Sequence, residues 1–156
     1  MRLKWLAIPA VLLFVLPSCN KDNGFSISVK GIEGLVYQAI KDYRENNGLT
    51  GPFVHQYIMV GEAQIYSARM ADGTEPLGTQ GLADHWNTIH GKIGGYNDHA
   101  VVLATESTDE DEILSELLDQ PGTSAILLED VTQCGVGIEP DGSGTNYVTV
   151  LLMKVD

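Results

Sequence analysis

The apolar positions of this chain repeat first at helical spacing and later at strand spacing. From Gly31 to Asn47, Leu35, Val36, Ala39, Ile40 and Tyr43 fall on one stripe of a helix, and Gly48 stops it. Pro52 opens the next segment, where Val54, Ile58, Met59, Ala63, Tyr66 and Met70 predict a second helix that ends before Asp72-Gly73. Thr74 to Gln80 reads as loop. Leu82, Trp86 and Ile89 then share one side of a short third helix. His99 to Thr105 holds the run Ala-Val-Val-Leu-Ala, which suits a buried strand. Ser107 and Glu110 have capping-box spacing, and the acidic residues Asp109 to Glu112 fill a first helical turn, where the dipole favours them. Ile113, Leu114, Leu117 and Leu118 give that helix its apolar face, and Gln120-Pro121-Gly122 ends it. Cys134 to Ile138 and Asn146 to Lys154 read as two strands joined by a hairpin turn at Pro140 to Gly144. Helices first and a small antiparallel sheet last predict an α+β fold.

The start of the chain follows neither repeat. Arg2 and Lys4 precede an apolar run from Trp5 to Leu16, broken only by Pro9. The run is too short for a stable membrane-crossing helix and suits the core of a signal peptide. It ends in Leu16-Pro17-Ser18-Cys19, which resembles the lipobox of bacterial lipoproteins. That resemblance implies removal of residues 1–18 and lipidation of Cys19. Acyl chains contribute roughly 0.8 kcal/mol per buried methylene, so a multiply acylated Cys19 is a lasting membrane anchor. Residues 19–30 are then the lipid anchor and a polar tether, and 31–156 the folded domain. Lys21-Asp22, just after the anchor, is similar to the surface-export signals of some bacterial lipoproteins and points to the outer membrane or cell surface.

Charge narrows the partners. The formal net charge is −12, and loss of Arg2 and Lys4 with the leader makes it −14. So acidic a chain, with no basic stripe, repels nucleic acid. No Asp-rich stretch has EF-hand spacing. Lipidation of Cys19 leaves Cys134 without a disulfide partner, so the fold must stand on its core.

Taken together, the segments resemble the SCP-like extracellular domain of the CAP superfamily (cysteine-rich secretory proteins, antigen 5 and plant pathogenesis-related proteins). Ala39 to Leu49, with its Tyr-Arg and Gly-Leu, is similar to the family's opening helix, and Glu62 to Ala71 to its second. Gly78-Thr79-Gln80-Gly81-Leu82 sits where bacterial members carry Gly-His-x-Gly-Phe, and Gln120-Pro121-Gly122-Thr123 where they carry Ser-Pro-Gly-His. Cys134 to Ile138 and Asn146 to Val150 match the family's last two strands. The resemblance covers about Leu35 to Met153. It implies an α-β-α sandwich with a small antiparallel sheet between helical layers. It also implies a cleft of two His and two acidic residues, which in some members binds a divalent metal. Here the two His positions are Thr79 and Thr123, Asp98 stands in for one acid, and Gln120 falls near the other. A hydroxyl is a poor substitute for an imidazole as a zinc-type ligand, and it is no general base near neutral pH. The expectation is therefore a degenerate cleft with no metal, no cofactor and no catalytic residue.

The other candidate groups have plainer readings. His55, His85, His90 and His99 include no pair at i, i+4 spacing. Cys134, on an apolar strand, reads as a buried thiol rather than a nucleophile. Gly135-Val136-Gly137 lies within a strand, so it suits close helix packing rather than phosphate binding. Two functions follow as expectations. The first is a non-catalytic, lipid-anchored envelope module that binds a lipid, glycan or peptide. The second is an envelope hydrolase with a rearranged site at His99, Asp98 and His85.

Overall fold

The computed structural model describes residues 28–156. The expected signal peptide, the expected lipidation site Cys19 and most of the expected tether lie outside them. Five helices flank one four-stranded sheet in the described residues: α1 (Gly31–Asn46), β1 (Val54–His55), α2 (Tyr57–Ala71), α3 (Ala83–Ile93), β2 (Tyr96–Thr105), α4 (Glu110–Asp119), α5 (Thr123–Leu127), β3 (Gln133–Pro140) and β4 (Asn146–Lys154). The strand order is β1-β3-β4-β2.

Side-chain alternation in the sheet builds two cores, as the expected sandwich requires. Val101 and Leu103 of β2, Cys134, Val136 and Ile138 of β3, and Val148, Val150 and Leu152 of β4 face α1, α4 and α5. Ala100 and Val102 of β2 and Leu151 and Met153 of β4 face α2 and α3. Residues Val148 to Met153 of β4 are all buried, because both faces of this inner strand are covered.

Strand β3 turns Cys134, Val136 and Ile138 to the first core and sets Gly135 and Gly137 against α2. A Cβ on Gly135 would collide with the backbone of Met59, and one on Gly137 with the backbone of Ala63 and Gln64, well inside 3.0 Å. Helix α2 therefore lies backbone against backbone on β3. Ser67 fastens it there, donating from Oγ to Gly137 O at 3.0 Å and contacting Thr149 Oγ1 at 2.8 Å. The close-packing role expected of these glycines is what the structure shows.

Helix α1 departs from the expected stripe. Val36 and Ile40 are buried, but so are Glu33 and Arg44, while Leu35 is 49% exposed. The Glu33 carboxylate accepts from Lys30 N at 2.7 Å, Gln64 Nε2 at 2.7 Å and Ile138 N at 3.1 Å. Lys30 Nζ donates to Ile138 O at 2.7 Å. Glu33 and the capping Lys30 thus finish the free edge of β3 beyond the two residues paired with β1. Arg44 donates from Nη1 to Leu127 O at 2.5 Å and Glu129 O at 3.0 Å, and from Nη2 to Val131 O at 3.1 Å. Its guanidinium carbon sits 4.4 Å over the Phe53 ring.

Other expectations also need correction. Val54 does not begin the second helix. With His55 it pairs parallel to Gln133 and Cys134, so the sheet is mixed rather than wholly antiparallel. Strand β2 begins at Tyr96, three residues before the expected start. Helix α3 runs on to Ile93. Asp109, not Ser107, caps α4: its side chain accepts from Asp111 N and Glu112 N. Ser107 instead donates to Glu112 Oε2 at 2.8 Å. Helix α5 stands where the sequence predicts only a helix stop.

The glycine contact predicts that Gly137→Ala lowers unfolding stability by about 3 kcal/mol, because backbone rather than a flexible side chain must give way. Urea denaturation measures this, and an unchanged midpoint would refute the backbone contact. A second prediction concerns His55. Its ring is stacked 4.4 Å from Tyr37, and its buried Nε2 has no partner among the described residues. Burial lowers its pKa below the ordinary 6.5 of an imidazole. The unfolded chain therefore takes the proton first, and His55 contributes instability as pH falls from about 6.5 toward the lower folded value. Wild type should lose more stability than His55→Phe across that window and track it above pH of about 7. Parallel urea midpoints for both proteins would refute the assignment.

Candidate functional site

The four cleft positions lie in different parts of the fold. Thr79 is exposed in the α2–α3 loop, which is held to α2 by Tyr66: its hydroxyl donates to Gly78 O at 2.8 Å and accepts from Gly81 N at 3.3 Å. Thr123 opens α5 and is only 2% exposed. The loop of Thr79 is thus tied to α2, whereas Thr123 stands in α5, whose Leu127 joins the first core. Gln120 ends α4 and spends its amide on the sheet, donating from Nε2 to Val102 O at 3.1 Å. Asp98, near the start of β2, sits 2.7 Å from His90 Nε2 through Oδ2. Threonine hydroxyls, one of them buried, a committed amide and a paired carboxylate do not fit a CAP-type divalent ion. No group of three or more His, Cys, Asp or Glu side chains among the described residues is placed to hold a metal.

The histidines pair separately. His99 Nε2 meets Asn97 Oδ1 at 3.1 Å, where Asn97 has a φ of 58°. Asp98 turns to His90. His85 takes a third set of partners. His99, Asp98 and His85 are thus given three different partners and are not joined in one hydrogen-bonded group.

The strongest polar constellation is one that the sequence pattern does not single out. Glu62, Tyr66 and Arg69 recur along one face of α2, and His85 of α3 packs into them at 3% exposure. His85 Nδ1 lies 2.7 Å from Glu62 Oε2, and its Nε2 lies 3.3 Å from Arg69 Nη1. The Tyr66 ring meets the imidazole edge-on at 5.3 Å. A carboxylate only accepts and a guanidinium only donates, so the ring carries its proton on Nδ1 and accepts at Nε2. Both nitrogens are occupied. The trio orients α3 on α2 and leaves neither nitrogen for a substrate or an ion. The helical spacing of Glu62, Tyr66 and Arg69 is the available signal, but nothing local says that His85 meets them.

Cys134 is fully buried, and burial pushes its thiol well above the usual range, which keeps it protonated and unreactive. Among the concavities of the described surface, one of about 420 Å³ lies between Ala71, Asp72, Pro140 and Gly142, and two smaller ones are of equal size. Of the smaller two, one, of about 270 Å³, runs beside α2 between Ile65, Ala68, Asp72 and Glu139. The other, also of about 270 Å³, opens between the Gly48–Pro52 loop and the Asp130–Thr132 segment. None of the three contains Thr79, Asp98, Gln120 or Thr123.

No family model matches the sequence, and no curated protein matches it. Solved structures do. The chain is similar to an outer surface protein from Borrelia burgdorferi, with a TM-score of 0.67 at 14% identity, over 83% of this chain and 97% of that one. It is also similar to an extracellular protein containing a SCP domain from Bacillus anthracis str. Ames, with a TM-score of 0.65 at 19% identity, over 80% of this chain and 41% of that one. With helices on both faces of a four-stranded sheet, and with these two structural neighbours, the chain has an SCP-like fold of the CAP type, an α+β architecture.

Proposed function

We propose that this protein is a lipid-anchored extracytoplasmic CAP-type module that works by binding a lipid, glycan or peptide rather than by catalysis. The observation that carries this reading is that His85 has both nitrogens engaged and that the other imidazoles are not gathered with it. His85 is held by Glu62 and Arg69, His90 by Asp98 and His99 by Asn97, while His55 is stacked on Tyr37. An imidazole acts in general acid–base catalysis or zinc-type binding only through a nitrogen free to face the reacting group, and His85 has none. The buried Cys134 offers no nucleophile in its place.

Two further observations support the location. The structural neighbours are described as an outer surface protein and an extracellular protein. The leader ends in Leu16-Pro17-Ser18-Cys19. The domain then hangs from the outer membrane or cell surface by a short polar tether, with its acidic surface toward solvent.

Each half of the proposal has its own test. Cys19→Ala should abolish incorporation of labelled palmitate and release the protein from the membrane fraction; continued labelling would remove the anchor from the account. Calorimetric titration of the full chain with zinc should give no site of micromolar or tighter affinity. A tight site lost in Asp98→Ala or His85→Ala would overturn the non-catalytic reading.

A further inference from the structure

We infer that the groove beside α2 seats the chain's own segment Phe25-Ser26-Ile27, so that the domain holds the stretch leading to Cys19 against its surface. The docking goes beyond the binding-module reading; only its consequence at a membrane rests on the anchor in that reading.

The argument begins where the described chain begins. The carbonyl of Ser28, the first described residue, accepts from Gln64 Nε2 at 2.8 Å. Two residues on, Lys30 Nζ donates to Glu139 Oε1 at 2.5 Å and to Ile138 O at 2.7 Å. Gln64 and Glu139 are both walls of the groove of about 270 Å³ beside α2. The chain therefore enters the fold at the rim of this groove, held by two of the residues that line it. Gln64 is 8% exposed and gives its other amide proton to Glu33, so the hold on Ser28 is fixed from inside the protein.

The sequence before Ser28 suits the groove. Phe25, Ile27 and Val29 alternate with Ser26 and Ser28, and in extended chain such residues share one side. Val29 turns that side toward the protein, with its Cγ1 3.8 Å from where a Cβ on Gly34 of α1 would lie. The open lining of the groove is chiefly apolar, with Ile65 and Ala68 between Gln64 and Asp72. From Gln64 to Asp72 a helix advances about 12 Å. Three extended residues before Ser28 reach about 10 Å. At about 270 Å³ the groove lies below the usual range for drug-sized ligands, and side chains suit it better than a free molecule. Seating Phe25 and Ile27 there takes two large apolar side chains out of water. Covalent linkage favours this occupant, because a segment so close to its site is present at an effective concentration of roughly millimolar. A second copy of the chain would have to compete with it against the mutual repulsion of two chains of charge −12.

On an anchored protein the docking shortens the link. With Ser28 held, residues 19–27 span at most about 30 Å; with Phe25 seated as well, residues 19–24 span at most about 20 Å. Helix α2 and the turn between β3 and β4 then lie toward the membrane.

Nitroxide broadening of amide signals in nitrogen-15-labelled full-length protein, held in a non-ionic detergent, tests the docking. Cys19→Ala with Asn23→Cys gives one reactive thiol for the nitroxide, since Cys134 is fully buried. The expected result is strong broadening at Ile65, Ala68 and Asp72. It should fall at least threefold in Phe25→Ser/Ile27→Ser. Ala68→Arg, an exposed position in the groove filled by a good helix former, should reduce it as much at Ile65 and Asp72, with circular dichroism unchanged. Broadening confined to the residues next to Ser28, or broadening at the groove that neither variant reduces, would overturn the inference. Nitroxide-bearing protein without nitrogen-15 is also mixed with nitrogen-15 protein lacking the nitroxide. Sharp signals there support the docking, whereas broadening at Ile65, Ala68 and Asp72 assigns the groove to a second copy and overturns it. No lipid enters these measurements, so their failure leaves the zinc and palmitate tests untouched, and loss of the anchor would remove only the membrane consequence.

Discussion

The fold depends on how closely α2 approaches β3. Two glycines, Gly135 and Gly137, remove the side chains that would otherwise hold helix and strand apart, and the backbones of Met59 and Ala63 occupy that space. Once α2 is seated, Met59, Ala63, Tyr66 and Met70 fill the second core against Leu151 and Met153. Its outer face then presents Glu62 and Arg69 to His85, and its loop is fixed through the Tyr66 hydroxyl. The register of α3 and the loop bearing Thr79 thus follow from two missing side chains on a strand far along the sequence.

The first core needs a different device, because β1 covers only the start of β3. The rest of that edge is finished by α1 and its cap, through the Glu33 carboxylate on Ile138 N and the Lys30 ammonium on Ile138 O. Gln64 donates to the same carboxylate, so the network ties α1, α2 and β3 at one point. A buried carboxylate is tolerated here because three donors replace its water. Arg44 does the corresponding work at the other end of α1, gathering the carbonyls at the end of α5 and just after it. A helix with only two fully buried aliphatic residues, Val36 and Ile40, is therefore positioned as much by its charged groups as by its apolar stripe.

These devices mark where the sequence can be read and where it cannot. Seven longer elements follow from periodicity: α1, α2, α3, β2, α4, β3 and β4 lie where their apolar positions predict, within a few residues. The misses have separate causes. Strand β1 is two residues long, and Val54 fits the helical spacing of the segment after it, so periodicity absorbs it. Helix α5 has five residues, fewer than two turns, too few for a repeat to register. At the start of α4, Ser107 and Asp109 are both capping residues, and only geometry shows which one meets the free amides. The apolar stripe puts Leu35 in the core and leaves Glu33 out, because partners more than a hundred residues away decide which of them can be buried. The cleft positions carry the same lesson: the resemblance locates Thr79, Asp98, Gln120 and Thr123 along the chain, but the pairings of Asp98 with His90 and of Gln120 with Val102 require the fold.

The most buried hydrogen-bonded imidazole, that of His85, has both nitrogens used to hold structure. Placed between a carboxylate and a guanidinium, it has the outline of a catalytic relay, yet a relay passes a proton onward only through a nitrogen that faces substrate. Here Nε2 faces Arg69, which can give a hydrogen bond but cannot accept one. The Glu62–His85–Arg69 line is closed at both ends, so its hydrogen bonds stiffen the α2–α3 layer. The Arg44 guanidinium is the converse case. Its Nη donors are engaged and its charge is left unbalanced beside open space. Of the charged residues beside that space, Lys154 and Asp130 pair with each other at 2.7 Å, which leaves Arg44 as the cation solvated by carbonyls and the Phe53 ring.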